Sequence, residues 1–157
     1  MLQYILSFVI LISVVVFIHE YGHYYFAKKY KVGVTDFSIG FGKELIGFND
    51  KDGTRWKICA IPLGGYVKFF GDSNSASQPV SLSKIDSKDH DKLLTTKPLY
   101  QRAIIVSAGP IANFILAIFI FSTIFMTVGK DVTVPIIAEV QKDSPAYKVG
   151  LKSNDQI

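Results

Sequence analysis

Two long stretches without charge limit what this chain of 157 residues can fold into. Residues 1–18 hold no Asp, Glu, Lys or Arg, and only Gln3, Ser7 and Ser13 are clearly polar. A second such run covers residues 103–128. In hydrocarbon every backbone N–H and C=O must be paired internally, so a single apolar span becomes a helix. About 20 residues at about 1.5 Å each cross the lipid core. The first helix is therefore expected to run on to Ala27, and the second to cover 103–129. A mean hydropathy of +0.30 agrees with a membrane chain. No basic segment precedes the first span and no small-x-small site follows it, so a cleaved signal peptide is not expected.

The net charge of +4 is concentrated between the two spans. Lys28, Lys29 and Lys31 follow the first; Lys97 and Arg102 precede the second. The positive-inside rule puts the loop 28–102 in the cytoplasm and residues 130–157 on the opposite side. No basic stripe interleaved with aromatics points to nucleic acid. Cys59 is the only cysteine, which excludes an internal disulfide and a Cys-x-x-Cys zinc site. It reads as a small buried residue.

Near the end of the first span stands His19-Glu20-Tyr21-Gly22-His23. Helical positions four apart share a face, so His19 and His23 can hold one metal ion. Glu20, beside the first ligand, can act as general base. This is the H-E-x-x-H arrangement of zinc hydrolases. A His pair hydrogen-bonded to a neighbouring helix is the plainer reading. Ionisable groups within a membrane span are expensive, however, and mark functional sites.

Between the spans, glycines recur at 33, 40, 42, 47, 53, 64, 65 and 71. β-prone stretches at 45–48, 55–61 and 66–70 alternate with turn signals at 49–53 and 62–65. A β-hairpin is expected over 28–72. Two placements fit the residues: on the membrane surface, or dipping into it with an edge free for an extended substrate. Residues 73–92 are rich in Ser, Asp and Lys and read as a linker within the 73–102 cytoplasmic segment, with His90 a solvated loop residue. The second span opens with Ser107-Ala108-Gly109-Pro110, small residues that permit close helix approach. Asn113 is an amide within the bilayer. An interhelical hydrogen bond and a substrate or active-site contact are equally open to it. Residues 134–140 alternate like a strand.

Taken together, these features resemble the site-2 protease family, most closely the regulator-of-sigma-E type of intramembrane zinc metalloprotease. Four blocks carry the resemblance, in order. They are His19-Glu20-Tyr21-Gly22-His23 with Phe26-Ala27; Phe37-Ser38-Ile39-Gly40-Phe41-Gly42 leading to Pro62-Leu63-Gly64-Gly65; Ala108-Gly109-Pro110 with Asn113; and Ser144-Pro145-Ala146 with Gly150-Leu151. The last looks like the opening of a PDZ domain over 130–157, with Asn154 where such openings commonly carry Gly.

The resemblance implies a polytopic α-helical membrane protein of the bacterial inner membrane. It would have two transmembrane helices, a membrane-associated β-hairpin region between them and the start of a PDZ domain. It implies Zn2+ held by His19 and His23, and Glu20 as catalytic base. Asn113, Gly40 and Gly42 would be substrate-binding positions. The substrates would be single-pass membrane proteins, such as anti-sigma factors or remnant signal peptides, cut within their transmembrane segments. The family's third zinc ligand is an aspartate in a Leu-Asp-Gly motif, which does not occur here. The chain is then either the front portion of a longer enzyme, or a truncated, non-catalytic remnant or substrate-binding module.

Overall fold

A computed structural model describes residues 1–74, 86–129 and 135–156. They fall into two compact units, residues 1–120 and 121–157. In chain order the elements are α1 (Leu2–Lys29), β1 (Val34–Asn49), β2 (Arg55–Phe69), a 3-10 turn (Ser87–Lys92), α2 (Leu99–Thr127) and the short α3 (Pro145–Lys148). α1 and α2 are each long and apolar enough to cross a membrane. α2 begins at Leu99, four residues before the apolar run.

The end of α1 is written in its last residues. Lys28 and Lys29 complement the negative end of the helix dipole. The Val32 N–H then donates to the Ala27 carbonyl at 2.8 Å, and the Lys31 N–H to the Lys28 carbonyl at 3.0 Å. Lys31 takes a left-handed φ of 56°. That pair of bonds is a Schellman cap, and its usual apolar contact is present because Ala27 and Val32 are both buried in the core.

The sheet is a long antiparallel pairing of β1 with β2, both strongly bent. The first part of β1 has partners on two sides. Val34 pairs with Phe69 and Ile39 with Gly65; on the other side Asp36 pairs with Arg55 and Ile39 with Ile58, numbers that rise together. The second part of β1 pairs Ile46 with Ile58 and Asn49 with Arg55. The start of β1 is therefore the centre of the sheet, although no β-signal was read there in the sequence. The expected turn at 62–65 lies inside β2, as a bend with Gly64 at φ 117°. The expected turn at 49–53 is present between the strands.

Phe37, 1% exposed, joins sheet to helix. It stacks on Trp56 at 4.1 Å and meets Phe17 and Tyr24 edge-on, each at 5.8 Å. Asp50 clamps the turn from below. It accepts from the Thr54 N–H (2.8 Å), the Asp52 N–H (2.9 Å), the Tyr24 hydroxyl (3.0 Å) and the Trp56 indole (3.2 Å). The Lys28–Asp52 ion pair adds a second tie to α1 at 2.9 Å. The second half of α1 is thereby fixed against the sheet. Cys59 is buried as expected, 3.3 Å from the Ser38 hydroxyl.

Of the expected linker, residues 75–85 lie outside the described residues, and 87–92 form the 3-10 turn capped by Asp86. In the second unit, the strand expected at 134–140 reduces to one bridge, Ile136 to Gln156, with Val134 outside the described residues. Ser144 caps α3 by accepting from the Tyr147 N–H, with Pro145 in the first turn. Asn154 adopts φ 73°, the conformation for which glycine is the usual choice and which Asn tolerates.

Candidate metal and catalytic site

His19 and His23 lie one turn apart on α1, with ring centroids 4.9 Å apart and planes at 76°. Each ring is held at Nδ1 by α2. His23 Nδ1 lies 2.8 Å from the Ile105 carbonyl oxygen. A carbonyl only accepts, so Nδ1 carries the proton and Nε2 keeps its lone pair. His19 Nδ1 lies 3.1 Å from the amide nitrogen of Asn113, whose oxygen is buried without a partner.

Both Nε2 atoms converge on Gly109. A Cβ built on Gly109 would collide with His23 Nε2 and would stand 2.8 Å from His19 Nε2. The missing side chain thus leaves a small volume within reach of both imidazole Nε2 atoms. Nitrogen donors at that range from one point fit Zn2+, whose bonds to His nitrogen are about 2.0–2.1 Å. Among the described residues no group of three or more His, Cys, Asp or Glu side chains is gathered. The chain's described part therefore offers two ligands.

Glu20 faces a cavity of about 280 Å³ that it lines together with His23. Gly65, Tyr66, Val67 and Phe69 of β2, Leu94, and Ile105 and Val106 of α2 line the rest of it. The approach is close: a Cβ on Gly65 would stand 3.2 Å from Glu20 Cγ and 2.7 Å from Val16 Cγ1. Residues 65–69 have a strand partner only on the Val34–Ile39 side among the described residues.

Residues 7–153 match peptidase family M50. The chain belongs to that family. It is 49% identical over 155 residues to a relative from Mesorhizobium japonicum that is named as a zinc metalloprotease; the match covers 97% of this chain and 42% of the relative. It is likewise 49% identical to one so named from Agrobacterium fabrum, over 98% of this chain and 41% of that relative. A metalloprotease of Caulobacter vibrioides is 42% identical over 98% of this chain and 41% of its own length. The chain thus spans about two fifths of the relatives it matches.

In this M50 chain the structure brings His19, Glu20, His23 and Asn113 to one place. Gly40 and Gly42 lie elsewhere. Both have left-handed φ, 86° and 85°, and the atoms nearest their absent side chains belong to Ile61 and Cys59 for Gly40 and to Ile61 for Gly42. His90 sits in the 3-10 turn. Sequence reasoning missed Ile105, because a backbone carbonyl leaves no signal in residue type. It also read Gly109 only as a small residue for helix approach.

Proposed function

We propose that this chain carries the catalytic half-site of an intramembrane zinc endopeptidase that cuts the transmembrane segments of single-pass membrane proteins. The observation that carries this reading is the convergence of both His Nε2 atoms beside Gly109, with Glu20 on the adjoining cavity. Zinc, when bound, lowers the pKa of water and polarises a carbonyl. The Glu20 carboxylate takes the proton of the attacking water and hands it to the leaving amine. A third ligand comes from outside the described residues, as the family's aspartate would.

A transmembrane helix hides its carbonyls in its own hydrogen bonds and must unwind before cleavage. The free edge of residues 65–69 is suited to receive the extended chain as an added strand. Gly40 and Gly42 serve by shaping the bend of β1. The hairpin's exposed Leu45, Ile46, Phe48 and Leu63 support contact with lipid. The cationic flanks support a cytoplasmic side for the hairpin and the loop 28–102, in a bacterial inner membrane.

The test is cleavage of a single-pass substrate by the full-length protein in membranes. Glu20→Gln should slow it by roughly 10²–10⁴-fold with zinc content unchanged. An unchanged rate would remove Glu20 from the chemistry. One observation favours a second reading, a non-catalytic binding module: only two ligands are gathered among the described residues. That reading expects no zinc-dependent cleavage in any context.

A further inference from the structure

We propose that α2 builds half of the metal seat through two residues one turn apart. Gly109 supplies the empty volume in which the ion sits, and Asn113 presents its amide oxygen to His19 Nδ1–H, leaving His19 Nε2 free to bind. Both are positioning residues, and the inference rests on the zinc reading above.

Gly109 acts sterically. A side chain there would meet His23 Nε2, His23 Cε1 and His19 Nε2 before any other atom. A methyl group would occupy the point on which both lone pairs converge. Close helix approach does not require this glycine, because the neighbouring contact is made by Gly22 of α1 against Ala108.

Asn113 acts through the choice of tautomer. His19 can offer Nε2 to a metal only if Nδ1 carries the proton, so the group facing Nδ1 must accept. The amide of Asn113 is the atom pair within reach, at 3.1 Å. Its two ends have the same shape, and their assignment follows from the hydrogen-bond network. With the nitrogen toward His19, the oxygen is buried without a partner. With the oxygen toward His19, the nitrogen takes that unpartnered place. The count of bonds is equal, so the demand of the metal decides. His23 is already held in the same way, with a carbonyl oxygen on Nδ1. Carbonyl and carboxylate partners of this kind orient metal-binding imidazoles generally, and losing one weakens metal affinity by roughly 10–100-fold.

The experiment uses the full-length protein in detergent micelles, with Co2+ as the spectroscopic probe and 15N chemical shifts of the metal-free imidazoles as a second readout. Wild type should bind Co2+, with His19→Ala and His23→Ala abolishing the spectrum. Gly109→Ala and Asn113→Leu should each weaken binding by roughly 10–100-fold. Asn113→Asp, which can only accept, should leave His19 in the wild-type Nδ1–H tautomer, whereas Asn113→Leu should release it into a mixture. The far-ultraviolet circular dichroism of Gly109→Ala should match wild type, which separates an intact fold from a collapsed one. Co2+ binding by Gly109→Ala at wild-type affinity would overturn the role of Gly109. A change of His19 tautomer in Asn113→Asp would overturn that of Asn113. If wild type takes up no Co2+ at all, the zinc reading fails and this inference with it.

Discussion

Gly22 of α1 lies against the backbone of Ala108 on α2, so closely that a Cβ on Gly22 would stand 2.5 Å from the Ala108 carbonyl oxygen and 3.1 Å from the Ala112 methyl. This one contact sets how near α2 comes to the His pair. Gly22→Ala should push the helices apart and lengthen the His23 to Ile105 hydrogen bond. Overpacking of this kind costs about 1–3 kcal/mol. Thermal unfolding in detergent should show the loss, together with weaker zinc binding. A Gly22→Ala chain as stable as wild type would mean that the two helices part freely.

Gly65 tests the other wall. Its missing side chain lets β2 approach Val16 and Glu20 of α1. Gly65→Ala should displace Glu20 relative to the edge of residues 65–69 and leave the His pair untouched. Misplacement by about 1 Å can cost roughly 10²-fold in rate. Cleavage by the full-length protein should fall while zinc affinity holds. Parallel loss of zinc would show that the damage spreads to the metal seat.

The turn below Phe37 should be sensitive to acid. Partial burial works against the charged form of Asp50, but the Thr54 N–H, the Trp56 indole, the Tyr24 hydroxyl and the Asp52 N–H outweigh it and hold the carboxyl at about 2, below its ordinary 3.8. A depressed folded value means that the charged form stabilises the fold. That contribution is complete above 3.8 and is lost as pH falls toward about 2. The stability difference between wild type and Asp50→Asn should therefore shrink across that window. A difference that stays constant with pH would place the effect in shape and not in charge.

Lys31 offers a gain. It holds a left-handed φ of 56° at the cap of α1, a position that glycine occupies without steric penalty. Lys31→Gly should raise stability by about 0.5–1 kcal/mol, read from thermal unfolding. A drop in stability would show that the lysine side chain contributes more than its backbone strain removes.

Much of the architecture was legible because it depends on local rules. Charge-free length predicts α1 and α2, and Asn49-Asp50-Lys51-Asp52-Gly53 predicts the turn between strands. The start of β1 was not legible. Thr35, Asp36 and Ser38 break the apolar pattern, yet each is satisfied within the fold: Thr35 and Ser38 by backbone carbonyls, Asp36 by Lys57 at 2.6 Å. The bend at 62–65 was misread as a turn because Pro and Gly punctuate both features alike.

The sequence alone determined that His19 and His23 stand together. Two histidines four apart on a helix must share a face, whatever surrounds them. It also determined Glu20 beside them, and the two helices that lipid would demand. Only the tertiary structure decided what faces each Nδ1, the Ile105 carbonyl for His23 and the Asn113 amide for His19, 82 and 94 residues away along the chain. It alone showed why Gly109 has no side chain to spare. The reason is physical: facing along one helix follows from its period, whereas the space and the acceptors around an imidazole are set by a second helix, whose approach no local pattern encodes.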